Sequence, residues 1–254
     1  MPVLSPAEQQ QFQQQGFLLI PQVYAPADLL VARAHFQKAF LENTPYHGRF
    51  DSDTLLTDVY RHFPGLEQVV FNERTKDVAR GLLGPEAALI PECAVHRERY
   101  PHWHKDTTFQ EMAGLTSHCD RNAPPILQFA TYFQENSQNG GGLTVIPGTQ
   151  HQPDPFLELY SSRWSKRLWN KVLKVLRRSV FDALERHPDK TDIPHQLGDL
   201  LVFDLRIFHR ATCRSRQDGP EKFAIFNTWV QPRGAGLDYF RFMKQRPEPY
   251  YQYF

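Results

Sequence analysis

His102-Trp103-His104-Lys105-Asp106 is the stretch around which the rest of this 254-residue chain is read. Placed on a β-strand, His104 and Asp106 project from one face, because strand side chains repeat every second residue. An imidazole nitrogen and a carboxylate oxygen then aim at a single point. A second His from elsewhere in the chain would complete a two-His, one-carboxylate face, the set that holds non-haem Fe(II) and leaves other coordination positions open. The same spacing also occurs in loops that bind nothing, so the flanking sequence has to decide.

Upstream, the pattern is helical. Ser5 followed by Glu8 reads as a capping box opening a helix to about Gln15, with Gly16 as its stop. Phe17-Leu18-Leu19-Ile20 is a short apolar run ended by Pro21 and suits a buried strand. A second helix starts at Ala25-Pro26-Ala27-Asp28 and carries Leu29, Leu30, Ala32, Phe36, Ala39, Phe40 and Leu41 at helical spacing. Residues 43–65 read as loop, and a third helix is expected from Leu66 to Leu83, ending at Gly84.

Downstream of residue 86 the texture changes. Ala88 to Ile90, Ala94 to His96, the HxD stretch, Ile126 to Tyr132, Leu143 to Ile146 and Leu200 to Phe203 are short strand-forming runs between turn signals. The expected fold is mainly β with flanking helices, an antiparallel sandwich or barrel. It reads as a single domain over 1–254: N-terminal helices at about 5–83, a β core at about 86–232, and an aromatic tail at 233–254. A helical insertion at about 155–187 interrupts the core, with Trp164, Leu168, Val172, Val175 or Leu176, and Val180 as an apolar stripe. Its basic residues, among them Arg163, Lys166, Arg167, Lys171, Lys174, Arg177 and Arg178, fit a solvated face. They also fit a basic lid beside a site.

A formal net charge of +1 gives no global attraction to nucleic acid or anionic membrane. Cys93, Cys119 and Cys213 form no CxxC pair and are odd in number, which favours reduced thiols and a cytoplasmic setting. The polar, glutamine-rich start has no signal-peptide pattern, and no apolar run approaches the ~20 residues of a membrane span.

Three further stretches carry a family resemblance. Asn139-Gly140-Gly141-Gly142-Leu143-Thr144-Val145-Ile146-Pro147-Gly148-Thr149-Gln150-His151 resembles the Gly-rich turn, strand and Pro-Gly-Ser/Thr-x-His stretch of phytanoyl-CoA dioxygenase-like Fe(II)/2-oxoglutarate oxygenases. Gly198-Asp199-Leu200-Leu201-Val202-Phe203-Asp204 followed by His209 resembles the strand leading to that family's distal metal His. The opening helix, Gly16 to Pro21 and the second helix resemble the family's N-terminus, so the likeness runs from about residue 5 to about 232.

The resemblance implies a double-stranded β-helix, a jelly-roll, cupin-like core. It implies Fe(II) on His104, Asp106 and His209, with 2-oxoglutarate as cosubstrate and O2 as oxidant. Related halogenases carry a small residue in place of the carboxylate, so Asp106 points to hydroxylation of a C–H bond, with release of succinate and CO2. The family's cosubstrate Arg is absent from the matching strand, which reads Lys222-Phe223-Ala224-Ile225-Phe226-Asn227. Lys222 takes its place as the expected anchor, with Arg214 and Arg216 as alternatives and Thr212 as the family's accompanying hydroxyl. A Lys supplies charge without the planar fork of Arg.

Arg97, Arg99 and Trp103 lie where substrate approaches in this family, although each also fits an ordinary strand position. His102 competes with His104 as a ligand, and His151 fits a hydrogen bond beside the Gly-rich turn. Tyr250, Tyr251, Tyr253 and Phe254 could cover the barrel or make a homo-oligomer contact. The expected partner is a small-molecule substrate, a polar metabolite or natural-product intermediate. Two other readings remain: a cupin-like metal dioxygenase or isomerase without 2-oxoglutarate, and a ligand-binding β-sandwich without turnover.

Overall fold

The computed structural model describes residues 4–42, 54–57, 59–90, 94–99, 101–120, 122–136, 141–157, 166–212 and 219–245, with the backbone alone at 57, 166–174 and 177. Helix α1 (Pro6–Gln15) opens on the expected capping box: Ser5 Oγ accepts from Glu8 N at 3.3 Å and the Glu8 carboxylate accepts from Ser5 N at 2.7 Å. Gly16 ends it in the left-handed region at φ 78°, where an added Cβ would run into Ile207. Strand β1 (Phe17–Ile20) and helix α2 (Pro26–Leu41) follow as expected.

Two N-terminal expectations change. The single helix over 66–83 is two, α4 (Leu66–Val70) and α5 (Glu73–Leu83), because Asn72 leaves helical geometry and accepts from Thr75 N at 2.9 Å, capping a new start. Within the expected loop, the described residues form β2 (Leu55–Thr57) and α3 (Val59–His62). Strand β2 gains its order by pairing antiparallel with β4 (Ala94–Arg97) at the sheet edge.

The larger sheet has the order β1-β8-β5-β10-β4-β2, with β3 (Ala88–Ile90) also on β10 (Phe223–Val230); β5 spans Leu127–Tyr132 and β8 Leu200–Asp204. The smaller sheet is β7-β6-β9, from Thr191–Asp192, Leu143–Ile146 and Phe208–Ala211. Strands β5, β6, β8, β9 and β10 alternate between the two sheets, which is the expected double-stranded β-helix.

Strand alternation sorts the side chains into separate cores. Leu127, Phe129, Leu200, Val202, Phe223 and Ile225 turn outward under the N-terminal helices. Ala130, Tyr132, Leu143, Val145, Leu201, Phe203 and Ala224 fill the space between the sheets. A third cluster, Trp103, Ile146, Phe156, Leu184 and Phe208, joins the outer face of the small sheet to helix α7 (Lys166–Glu185), with Val180 and Phe181 packed beside it. Of the stripe positions whose side chains are described, Val180 packs against this cluster, whereas Val175 is 68 % exposed and Leu176 38 %. Trp164 and Arg163 lie outside the described residues, as do Arg214, Arg216, Tyr250, Tyr251, Tyr253 and Phe254.

The expected tail begins with helix α8 (Ala235–Lys244), whose Tyr239 and Met243 enter the core between the sheets. Among the described residues no helix is long and apolar enough to cross a membrane.

Candidate active site

The HxD stretch is not a regular strand. His104 forms one antiparallel bridge with His209, each backbone N–H donating to the other's carbonyl at 3.0 Å, and the chain then turns. Such directly opposed residues put their side chains on the same face, and the two rings lie 4.2 Å apart between centroids. Asp106 is aimed by the turn, held where its N–H donates to the Leu205 carbonyl at 3.1 Å. The carboxylate reaches both rings: Oδ1 lies 3.3 Å from His104 Nε2 and Oδ2 3.5 Å from His209 Nε2.

Three ligand atoms, one from each residue, thus lie within 4.8 Å of one another. Both rings are oriented for a metal. His104 Nδ1 donates to the His102 carbonyl at 2.6 Å and His209 Nδ1 to the Ile207 carbonyl at 3.1 Å, leaving each Nε2 facing the centre. Burial alone would lower the His104 pKa, but the Asp106 carboxylate and the His102 carbonyl outweigh it, and the net shift is upward. His209, deeper and beside His104, falls to about 4, against the pull of Asp106. Two imidazole nitrogens and a carboxylate converging on one point form a set that can hold a divalent metal. The donor set fits Fe(II).

Elements around the centre hold this geometry. Asp204 and Arg206 form a buried ion pair (2.7 Å) in the turn that presents the Leu205 and Ile207 carbonyls. Lys105, between the two ligands, is buried and donates to the Thr149 and Gln152 carbonyls at 2.9 and 2.6 Å. Burial lowers its pKa to about 8, opposed mainly by Asp154. Thr149 Oγ1 accepts from Phe208 N at 3.0 Å. The Pro-Gly-Thr-x-His stretch is therefore a clamp between the HxD turn and β9, and its His151 is exposed.

The centre opens into a cavity of about 330 Å³ lined by His104, Asp106, His209, Lys222, Arg99, Gln128, Tyr132, Phe226 and others. Lys222 is 3 % exposed, and its Nζ donates to the Arg99 carbonyl at 2.9 Å and lies 5.8 Å from the Tyr132 ring centroid. The Tyr132 hydroxyl is buried with no hydrogen-bond partner among the described residues, and burial pushes its pKa far above the usual phenol range.

The other expected site residues face elsewhere. Thr212 does not line the cavity; Ala211 does, because inward positions on β9 are 209 and 211. Thr212 Oγ1 instead lies 3.1 Å from Thr144 Oγ1, which donates to Asp192 at 2.6 Å. Arg97 pairs with Glu221 and covers the Phe40 ring, on the side of the N-terminal helices. Trp103 is buried against α7, with Nε1 donating to Glu185 Oε2 at 2.9 Å. His102 packs against Phe181. Of the three candidate substrate residues, Arg99 alone lines the cavity. Gln128, Tyr132, Phe226 and Thr228 went unnoticed in the sequence, although Phe226 and Thr228 share the parity of Lys222 along β10. Tyr239, Phe242 and Met243 of α8 also line it, whereas no described side chain of α7 does, so the lid reading gains no support.

Behind Tyr132, His195 stacks on its ring at 4.3 Å, and its Nε2 donates to the Gln134 carbonyl at 3.1 Å. Burial lowers the His195 pKa to about 4, opposed by the Gln134 carbonyl and Asp199. A neutral buried His stabilises the fold fully above its unfolded pKa of ~6.5, and that stability is lost as pH falls towards 4. The loss is about 3 kcal/mol for this residue. Metal-free protein should therefore melt at falling temperature between pH 6.5 and 4, with a shallower fall in His195→Gln. Equal slopes in the two proteins would contradict this assignment. His104, with its raised pKa, contributes with opposite sign, which is why the difference between the proteins is the quantity to measure.

The fold is shared with solved structures of low identity. EctD from S. alaskensis with bound Fe is 17 % identical, with 90 % of this chain and 77 % of that one covered and a TM-score of 0.62. HygX from Streptomyces hygroscopicus with nickel and 2-oxoglutarate bound is 12 % identical, with 90 % and 88 % covered and a TM-score of 0.60. EvdMO1 is 15 % identical with a TM-score of 0.59; 89 % of this chain aligns but spans only 50 % of that protein. No curated protein matches the sequence itself. The family model for phytanoyl-CoA dioxygenase (PhyH) matches residues 12–218, and on that match the chain belongs to the phytanoyl-CoA dioxygenase family of Fe(II)/2-oxoglutarate oxygenases.

Proposed function

We propose that this protein hydroxylates a C–H bond of a small-molecule substrate, converting 2-oxoglutarate and O2 to succinate and CO2. The observation that carries the proposal is the convergence of His104, Asp106 and His209 within 4.8 Å on a cavity that Lys222 also lines. His104 Nε2, His209 Nε2 and one Asp106 oxygen would hold Fe(II). When bound, iron and 2-oxoglutarate together supply the O2 activation that protein side chains cannot perform.

The chain's own groups then bind and orient. The Lys222 ammonium takes the distal carboxylate of 2-oxoglutarate, and the Tyr132 hydroxyl supplies a second donor. This pair does with two side chains what an Arg does with one planar fork. Thr212, facing Thr144, has no part in this arrangement. With Asp106 as a ligand, the position a halide would need would be taken by its carboxylate, which supports oxygen transfer to the substrate over halogenation.

Anaerobic addition of 2-oxoglutarate to the Fe(II)-loaded protein tests the reading. Binding of 2-oxoglutarate beside the iron should produce a visible metal-to-ligand charge-transfer band. Absence of the band at saturating cosubstrate would favour a metal dioxygenase that does not use 2-oxoglutarate.

A further inference from the structure

The cavity's charged groups fall into two sets. Asp106 faces the two His residues, Lys105 is bound to two backbone carbonyls, and Lys222 is the cosubstrate anchor. Arg99 is different: its backbone carbonyl holds Lys222, while its guanidinium has no hydrogen bond or ion pair among the described residues. Gln110, also lining the cavity, is 2 % exposed and its Nε2 is buried without a partner among the described residues. Both leftover groups are donors, and a buried unsatisfied donor is costly unless a ligand completes it.

Apart from His96, Gln128 and Thr228, the rest of the wall is mostly aromatic and apolar. Phe109, Phe226, Tyr239, Phe242 and Met243 line the cavity. On α6 (Thr108–Met112), Phe109 is 56 % and Met112 48 % exposed, three residues apart on one helix face. Apolar surface therefore continues outward from the cavity. A space of about 330 Å³ is at the small end for ligand sites and must also take the cosubstrate. A substrate with an apolar body can leave part of it on the Phe109–Met112 rim.

We propose that the organic substrate is an amphipathic carboxylate: its anionic group is read by Arg99, with Gln110 as a further donor, and its apolar body lies on the aromatic wall. This rests on the oxygenase reading above and narrows its substrate to an acid carrying an apolar body. Arg99 binds as a fork to a carboxylate, which a neutral amide cannot replace.

The test uses nickel-loaded protein saturated with 2-oxoglutarate, titrated with hexanoate, octanoate and 4-phenylbutyrate and with the corresponding amides. The expected result is that at least one acid binds about tenfold or more tightly than its amide. Arg99→Gln, which keeps the backbone carbonyl for Lys222, should erase that preference and leave 2-oxoglutarate affinity as it was. Phe109→Ser should weaken binding of octanoate and 4-phenylbutyrate while the acid remains preferred over the amide. The proposal is overturned if no acid binds, or if amides bind as well as acids. It is equally overturned if Arg99→Gln weakens 2-oxoglutarate instead, which would make Arg99 a cosubstrate residue. Failure of 2-oxoglutarate itself to bind the nickel protein is a separate result that sinks the oxygenase reading and this inference together.

Discussion

Replacing Asp106 with alanine should weaken Fe(II) binding by roughly 10²-fold or more and abolish 2-oxoglutarate turnover. Asp106 is the one carboxylate of the proposed three-ligand group, with oxygens 3.3 and 3.5 Å from the two Nε2 atoms. Without it the metal keeps two neutral nitrogens and loses the negative charge that offsets its own. His209→Ala should behave alike, since His209 is the most buried of the three proposed ligands and His104 is paired to its backbone. The fold should survive the Asp106 change, because the stabilising bond of that turn runs from its backbone N–H to Leu205. Iron titration beside a melting curve separates the two effects. Asp106→Ala protein that still binds iron within about threefold of wild type would mean another carboxylate completes the site.

The second large effect is expected at Lys222. Lys222→Ala should raise the 2-oxoglutarate concentration needed for turnover well over tenfold while iron affinity stays near wild type. Lys222 is buried and lines the same cavity as His104, Asp106 and His209. Removing one partner of a buried charge pair typically costs ~2–5 kcal/mol of binding. Lys222→Arg should keep most of the affinity, since a guanidinium supplies the same charge with better geometry for a carboxylate. An unchanged cosubstrate requirement in Lys222→Ala would move the anchor to Arg99, Arg214 or Arg216.

How much of this was legible depends on how local the information was. The α1 capping box and Gly16 stop are short-range chemistry, and they stand as expected. Strands β3 to β6 and β8 were visible as apolar runs between turn residues. Strand β2 was hidden because three residues carry no period, and pairing with β4 makes it a strand. The break at Asn72 was missed because apolar spacing continues across it, although an Asn followed by Glu and Thr is a capping signal.

At the site, spacing and resemblance named His104, Asp106 and His209, but not how they meet. The sequence suggested a strand carrying both HxD ligands; the structure uses one bridge residue and a turn. Thr212 does not line the cavity for a simple reason of parity: it follows β9 directly, three positions from His209, whereas inward positions recur every two. Trp103 and Arg97 lie near the ligands in sequence but face α7 and the N-terminal helices. The α8 wall is a long-range contact, and nothing in the aromatic spacing of 239–243 specifies which cavity it covers.

The central claim is that this site turns over 2-oxoglutarate on iron. The most direct measurement is succinate formation by purified protein supplied with Fe(II), O2 and 2-oxoglutarate, even without an organic substrate. The account predicts slow succinate production that requires all three components and disappears in Asp106→Ala and His209→Ala. No succinate from iron-loaded wild type, or equal amounts from the two variants, would contradict it.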